Sequence, residues 1–408
     1  MANNSINVLM MGARRAGKTS VLSGLLSLMT QEEFSKTLVL SDVSANKSAS
    51  EKLLQKVDNM KRLLAENVGN CILMEENGTD TYLDYTLKIS IPGANGSLLL
   101  KFTDSNGEFY AAGAVEAESV KKKMQLYDII VVAIDTPFLM ESFNRSNTLC
   151  SRSVGDAYNQ VAQVHNLMAS LDDGDGLNAK LVCFVPIKCE RWVHEGRVNE
   201  VTQRVEDVYN TTLRALCAFK NIEVVVLPVQ TMGSIEFETH RKALTLIRPG
   251  QPDPIRCSPF DNESSSLLTA DGQIVDIQAG DIVSPDHNAK LEGFNIIRPN
   301  SWFKVIASCY EPRNCDQLVY YILQFALAKS KMLKSKERKG WSFKRIAIAA
   351  AIAVGVGLPA AALYVFFAGR LGDIKAEKLQ ATIDRIRDKG LWKTSDEGIK
   401  VVNKGLLP

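Results

Sequence analysis

The chain has no C-x-x-C pair and only four histidines, none spaced as a ligand beside cysteine or carboxylate. That combination argues against the usual zinc frameworks. The eight cysteines, at 71, 150, 183, 189, 217, 257, 309 and 315, are scattered and read as reduced, buried thiols. Charge of one sign is also missing: 48 Lys and Arg stand against 46 Asp and Glu, a formal net charge of +2. Wholesale nucleic-acid binding needs a basic excess, so no nucleic-acid partner is expected. No repeat at a fixed period is visible. The opening MANNSINVLMMG has no basic region ahead of its short apolar run, so no secretory signal is expected. What remains is the composition of an ordinary folded chain, 46% hydrophobic and 23% charged. Its 408 residues suffice for one large domain with additions or for two smaller ones.

Apolar periodicity sets the outline. Residues 6–11 read as a buried strand ended by Gly12, and Val21, Leu22, Leu25, Leu26 and Leu28 recur at helical spacing after Lys18. Residues 31–78 are polar and helix-prone, with Leu53, Leu54, Val57 and Met60 marking one amphipathic face. Two alternating runs, 81–91 and 97–103, flank Pro92-Gly93-Ala94-Asn95-Gly96 and predict a hairpin. Strands over 129–134, 181–185 and 224–227 then alternate with helices over 155–171 and 197–219. This order predicts an α/β fold with a mainly parallel sheet and one antiparallel edge. Residues 232–312, rich in Pro, Gly, Asp, Asn and Ser, predict a β-rich insertion, and a helix over 316–333 is expected to return to the sheet. The expected division is a main domain over 1–231, the insertion over 232–312 and a final helix of the main domain over 313–335. A basic segment over 336–345, an apolar span over 346–369 and a tail over 370–408 follow.

Gly12-Ala13-Arg14-Arg15-Ala16-Gly17-Lys18-Thr19, followed by Ser20, fits G-x-x-x-x-G-K-[ST] in full. Glycines let backbone N–H groups curl around phosphates, Lys18 neutralises the β/γ oxygens and the Thr19 hydroxyl binds Mg²⁺. The helix that follows aims its positive end at the same phosphates. A chance match in a chain this long is expected roughly once in a hundred. Here the match also lies between an apolar strand and an amphipathic helix.

Further motifs follow in order: DSNGE from Asp104 to Glu108, AIDTPFLME around Asp135, VPIKCE ending at Glu190, LPVQTMGSIEF through Gln230 and Thr231, and the late NCDQLVYYILQFAL. With GARRAGKTS they resemble a GTPase of the translation-factor-related class, and more closely the bacterial double-GTPase families of predicted conflict and defence operons. The resemblance covers roughly residues 5–330. It implies GTP or GDP with Mg²⁺, Asp104 holding the metal shell through water, and Gly107 reading the γ-phosphate. It implies a further metal contact from Thr79, or from Thr81, and base contacts from Lys188, Glu190 and the loop at Gln230 and Thr231. Glu190 stands where the family carries Asp, and Ile187 where it carries Asn. A carboxylate there offers two acceptors to the two donors of guanine, a pair adenine does not present. Glu108 stands where small GTPases orient the attacking water. Arg15 stands where guanylate-binding proteins keep an internal arginine finger, engaged on dimerisation; a solvated surface arginine is the alternative. Asp135, closing the strand over 129–134, is read as structural; the alternative is the Mg²⁺ aspartate of an ATPase. Only one P-loop is present, so a second GTPase chain or a homodimer is the expected protein partner.

Residues 346–369 contain no charged residue. At about 1.5 Å per residue such a run reaches about 36 Å, so a transmembrane helix is expected. Lysines and arginines from Lys329 to Arg345, with Trp341, predict a cytoplasmic N-terminal side drawn to anionic lipid. The expectation is thus a single-pass membrane protein with its GTPase domain in the cytoplasm. Three functions are compatible with the whole: a GTP-hydrolysing switch, a P-loop ATPase remodelling a membrane-associated partner, and a non-hydrolysing nucleotide-bound scaffold.

Overall fold

The computed structural model describes residues 5–13, 16–29, 31–44, 47–74, 83–93, 97–105, 117–141, 152–171, 179–260, 265–287, 297–338, 370–371, 374–388 and 398–403. Strand β1 (Ser5–Gly12) leads into α1 (Lys18–Met29), α2 (Glu32–Ser35), β2 (Val39–Asp42), α3 (Lys47–Glu66) and β3 (Cys71–Leu73). The hairpin β4 (Leu83–Ser90) and β5 (Ser97–Asp104) precedes α4 (Ala117–Met124) and β6 (Ile129–Asp135). Helices α5 (Thr136–Met140), α6 (Arg152–Tyr158) and α7 (Val161–Met168) lead to β7 (Lys180–Ile187). Helices α8 (Glu190–His194), α9 (Val198–Val208) and α10 (Asn210–Ala218) lead to β8 (Ile222–Val226).

These strands form one eight-stranded sheet in the order β18-β8-β7-β6-β1-β5-β4-β2, where β18 is Lys400–Asn403. From β5 to β8 the pairing is parallel; β2, β4 and β18 join antiparallel. Every residue of β6, β7 and β8 is buried, as strands covered on both faces require. Strand β5 instead alternates buried and half-buried positions. Helices cover both faces. On one side α1 and α11 (Cys315–Arg338) pack over Val8, Met10, Val131 and Cys183; on the other α4, α7, α9 and α10 pack over Leu9, Met11, Ile130 and Val182.

Within the expected insertion, β9 (Ile235–Arg241) and β15 (Asn300–Val305) pair with each other, and β15 also takes β3. Between them β10 (Leu244–Ile247), β11 (Ile255–Pro259), β12 (Ser266–Thr269), β13 (Ile274–Asp276) and β14 (Ile282–Pro285) make a separate five-stranded antiparallel sheet over Leu244, Leu246, Cys257 and Leu267. Strands β2 and β3 interrupt the stretch read as helix-prone. At four and three residues they are too short for alternation to register. The buried face of α3 carries Leu53, Val57, Met60 and Leu64, while Leu54 is 55% exposed.

The chain's last part corrects the membrane expectation. Among the described residues no helix is long and apolar enough to cross a membrane, and residues 346–369 lie outside them. The tail supplies the physical reason. Strands β16 (Arg370–Leu371) and β17 (Ile374–Lys375) pair, and α12 (Ala376–Asp388) buries Leu379, Ile383 and Ile386 in the same core as α1 and α11. Strand β18 then pairs with β8, Lys400 against Val226 and Val401 against Val225. The Thr202 hydroxyl donates to the Gly398 carbonyl, and Lys400 Nζ lies 2.6 Å from Glu206. A single crossing would part residues 370–408 from the main domain, whereas β18 and β8 belong to one sheet. The described residues therefore form an α/β fold with no membrane-spanning helix among them, and the expected transmembrane helix and single-pass membrane placement are withdrawn.

Docking of the tail makes Ile383 a core residue. Ile383→Ala should lower the stability measured by urea unfolding by about 2–5 kcal/mol, the usual cost of emptying a buried aliphatic site. A change within about 0.5 kcal/mol, as at an exposed position, would show that α12 does not pack there.

Candidate functional site

The site begins where β1 stops. Gly12 has φ +135°, and a Cβ on it would stand 2.4 Å from the Ala133 carbonyl oxygen of β6. Only glycine lets the two backbones meet and the chain turn there. Gly17, at φ +108°, is the second such position, and a Cβ on it would press on Ile187. Between them the Ala16 N–H donates to Ala13, and Lys18 opens α1 with its ammonium turned back over the loop. Lys18 Nζ donates to the carbonyls of Gly12 at 3.1 Å and Ala13 at 3.0 Å. Ser20 is buried in the same first turn, its N–H donating to Gly17.

Parallel pairing of β1 with β5 sets Met10 beside Asp104. The Thr19 hydroxyl donates to Asp104 Oδ2 at 2.6 Å, joining residues 85 positions apart. Asp104 is fully buried, and its Oδ1 has no hydrogen-bond partner among the described residues. Burial pushes its carboxyl up, against the pull of Lys18, the Thr19 hydroxyl and Lys56. Burial likewise pushes the Lys18 ammonium down, against the pull of Asp104. No group of three or more His, Cys, Asp or Glu able to hold a metal occurs among the described residues. A hydroxyl beside a buried carboxylate is nonetheless the small protein set with which Mg²⁺ is usually held, water and phosphate supplying the rest. The residues present fit that ion.

The expected base-side residues sit across the sheet, at the ends of β7 and β8. Lys188 has φ +62°, and its Cε lies 3.9 Å from the position a Cβ on Gly17 would take, so its stem lies beside Gly17. Its ammonium pairs with Asp135 Oδ2 at 2.6 Å, both groups buried. Burial lowers its affinity for the proton, but Asp135 and then Tyr158 leave it above the ordinary lysine value. Asp135 also accepts from the Phe138 N–H at the start of α5. Glu190 opens α8 and is fully buried; its Oε1 accepts from the Met232 N–H at 2.9 Å and the Gly233 N–H at 3.4 Å. Burial pushes this carboxyl up, against those amides. Its Oε2 has no hydrogen-bond partner among the described residues. Gln230 and Thr231 are buried in the loop after β8, and Gln230 exchanges backbone hydrogen bonds with Arg313.

The structure thus gathers Gly12, Ala13, Ala16, Gly17, Lys18, Thr19, Ser20 and Asp104 at one end of β1 and β5, with Lys188 alongside. Glu190, Gln230 and Thr231 stand at the neighbouring strand ends. Arg14, Arg15, Thr79, Thr81, Gly107 and Glu108 lie outside the described residues. One partly buried charge went unremarked in the sequence: Lys56 of α3, whose ammonium burial pushes down to about 8 against the pull of Asp104. The signal was present, because Lys56 lies three after Leu53 and four before Met60, on the apolar stripe of its helix.

Removing one member of the buried Asp135–Lys188 pair should cost far more than removing both. Asp135→Ala is expected to lose about 3–5 kcal/mol in urea unfolding, with most of it regained in the Asp135→Ala, Lys188→Met double variant. A double variant no more stable than the single one would mean that the pair's charges are not coupled. Compared with known proteins, the chain matches no family model and no curated protein, so the meaning of this site rests on its own residues.

Proposed function

We propose that the chain binds GTP with Mg²⁺ and works as a GTP-hydrolysing switch together with a protein partner. The observation that carries this reading is the meeting of Thr19 with Asp104 at the mouth of a glycine-turned loop. The hydroxyl of a phosphate-loop motif and the carboxylate ending the adjacent strand come together where a nucleotide-bound metal would need them. In the reading, the amides that follow Gly12 cradle the phosphates, and Lys18 releases the loop carbonyls to neutralise phosphate oxygens. Mg²⁺, when bound, would be held by Thr19 and Asp104 and would offset phosphate charge.

Strand order supports the reading: the loop-bearing strand is central, Asp104 is on one side, and the β7 and β8 ends carrying Lys188, Glu190 and Gln230 are on the other. A base would lie toward that second side. There Glu190 Oε2 and the Oε1 and Nε2 of Gln230 are buried without hydrogen bonds among the described residues. Buried polar atoms left unpaired are costly, and the edge of a bound base would satisfy them. Asp135, the group that would favour an ATPase, is instead bound to Lys188 and to the start of α5. A place in a bacterial defence system follows from the sequence resemblance alone.

The test is equilibrium binding of a fluorescent GTP to the purified full chain, with and without Mg²⁺, in competition with unlabelled GTP and ATP. GTP should compete at least about tenfold better than ATP. Lys18→Ala should weaken binding by about 10- to 100-fold, as loss of a hydrogen bond to a charged group implies. Equal competition by ATP would overturn the choice of base, and no uptake of either nucleotide would overturn the whole reading.

A further inference from the structure

Strand β4 sends Tyr85 and Leu87 inward, and β5 sends Phe102 and Asp104 to the same face of the hairpin. Tyr85 is 1% exposed there, in the core that also takes in Leu22 of α1 and Leu53 of α3. Phenylalanine would fill the same space, and a buried tyrosine hydroxyl normally finds a hydrogen-bond partner. The Tyr85 hydroxyl has none among the described residues. A buried polar group left so is costly until something enters to meet it.

Strand register gives the hydroxyl its neighbours. Leu83 pairs with Asp104 and Tyr85 with Phe102, so Tyr85 and Asp104 are diagonal neighbours on one face. Such neighbours are about 7–8 Å apart, within reach of an aromatic side chain. Asp104 Oδ2 accepts from the Thr19 hydroxyl at 2.6 Å, while its Oδ1 is buried with no partner among the described residues. The other diagonal neighbour is Asp42, which pairs with Leu87. Its Oδ1 accepts from the Ser44 N–H at 2.9 Å and from the Ser44 hydroxyl, and its Oδ2 is buried without a partner among the described residues. In order across the face, then, stand an acceptor, a hydroxyl that both accepts and donates, and a second acceptor. What this row lacks is a donor with two protons to give, at the end nearer Thr19. Water held by Mg²⁺ is such a donor.

We propose that Tyr85 is a positioning residue for Mg²⁺: its hydroxyl and Asp104 Oδ1 together accept the two protons of a water held by the metal. The inference rests on the reading of the site given above and adds a residue outside the phosphate-loop motif. Asp104 alone would leave that water free to turn; Tyr85 fixes it from the β4 side and passes its own proton toward Asp42. Partners one step removed from a metal orient its ligands and tune its affinity.

Tyr85→Phe removes the hydroxyl and keeps the ring. The test is a Mg²⁺ titration of the purified full chain with a fluorescent, non-hydrolysable GTP analogue, beside the melting temperature of the nucleotide-free chain. Tyr85→Phe should raise the half-saturating Mg²⁺ concentration by about 10- to 100-fold and leave affinity without Mg²⁺ within about threefold. Its nucleotide-free chain should melt at or above the wild-type temperature, since an unpaired buried hydroxyl has been removed. A lower melting temperature would show that the hydroxyl holds β2 through Asp42 instead, and would overturn the proposal. Equal loss of affinity with and without Mg²⁺ would overturn it too. A wild type that takes up no nucleotide, or does so indifferently to Mg²⁺, would overturn the reading of the site and the role of Tyr85 with it. A wild type that needs Mg²⁺, with Tyr85→Phe behaving alike, would overturn the role of Tyr85 alone.

Discussion

The approach of β1 to both of its neighbours is the constraint from which the site follows. Pairing with β6 brings Gly12 so close to Ala133 that no side chain fits, and the chain must turn with a positive φ at that point. Pairing with β5 sets Asp104 level with Met10, one turn of chain short of Thr19. Without the first contact the loop would not double back beneath Lys18; without the second, Asp104 would not meet the Thr19 hydroxyl. Both pairings are parallel, so the ends of β1, β5 and β6 that carry these groups lie at one edge of the sheet. The crevice outside the carboxyl ends of parallel strands is where ligands bind in open α/β folds.

That edge concentrates charge where charge is least comfortable. Lys18, Lys188, Asp104, Asp135 and Glu190 are each nine-tenths or more buried. Burial drives Asp104 and Glu190 toward their neutral forms and Lys18 toward losing its proton, while Lys188 is held charged by Asp135. Such groups contribute little to stability on their own, because loss of water offsets most of their mutual attraction. In the proposed reading, their arrangement is preparation for a charged ligand. Stability comes from elsewhere, from the two apolar layers on either side of the sheet. Each fully buried aliphatic side chain there contributes about 1.5–3 kcal/mol.

The end of the chain bears on the same sheet from the opposite edge. Strand β18 covers β8, which would otherwise be an exposed edge, and α12 adds Leu379, Ile383 and Ile386 to the core under α11. An unpaired edge of buried, valine-rich sequence is an aggregation hazard, and β18 removes it. A tail read as lying beyond a membrane is thereby part of the domain. The reasoning that placed it outside used only hydropathy of the preceding run, and hydropathy carries no information about which strand a later segment pairs with.

Local patterns in the sequence determined a good deal: the phosphate-loop glycines, the strand before and helix after them, the β4–β5 hairpin, the all-buried strands and the late helix. Each of these is set by residues within a few positions of one another, through backbone freedom, side-chain period or turn chemistry. Strands β2, β3 and β18 were not legible, being three or four residues long and stabilised by partners far along the chain. Nor was the partial burial of Lys56, which depends on α3 lying over α1 and β4. Neither was the hold of Asp135 on Lys188, residues 53 positions apart. Tertiary structure alone decided these points, because contact between distant segments is governed by packing and charge in three dimensions, which a linear pattern does not encode.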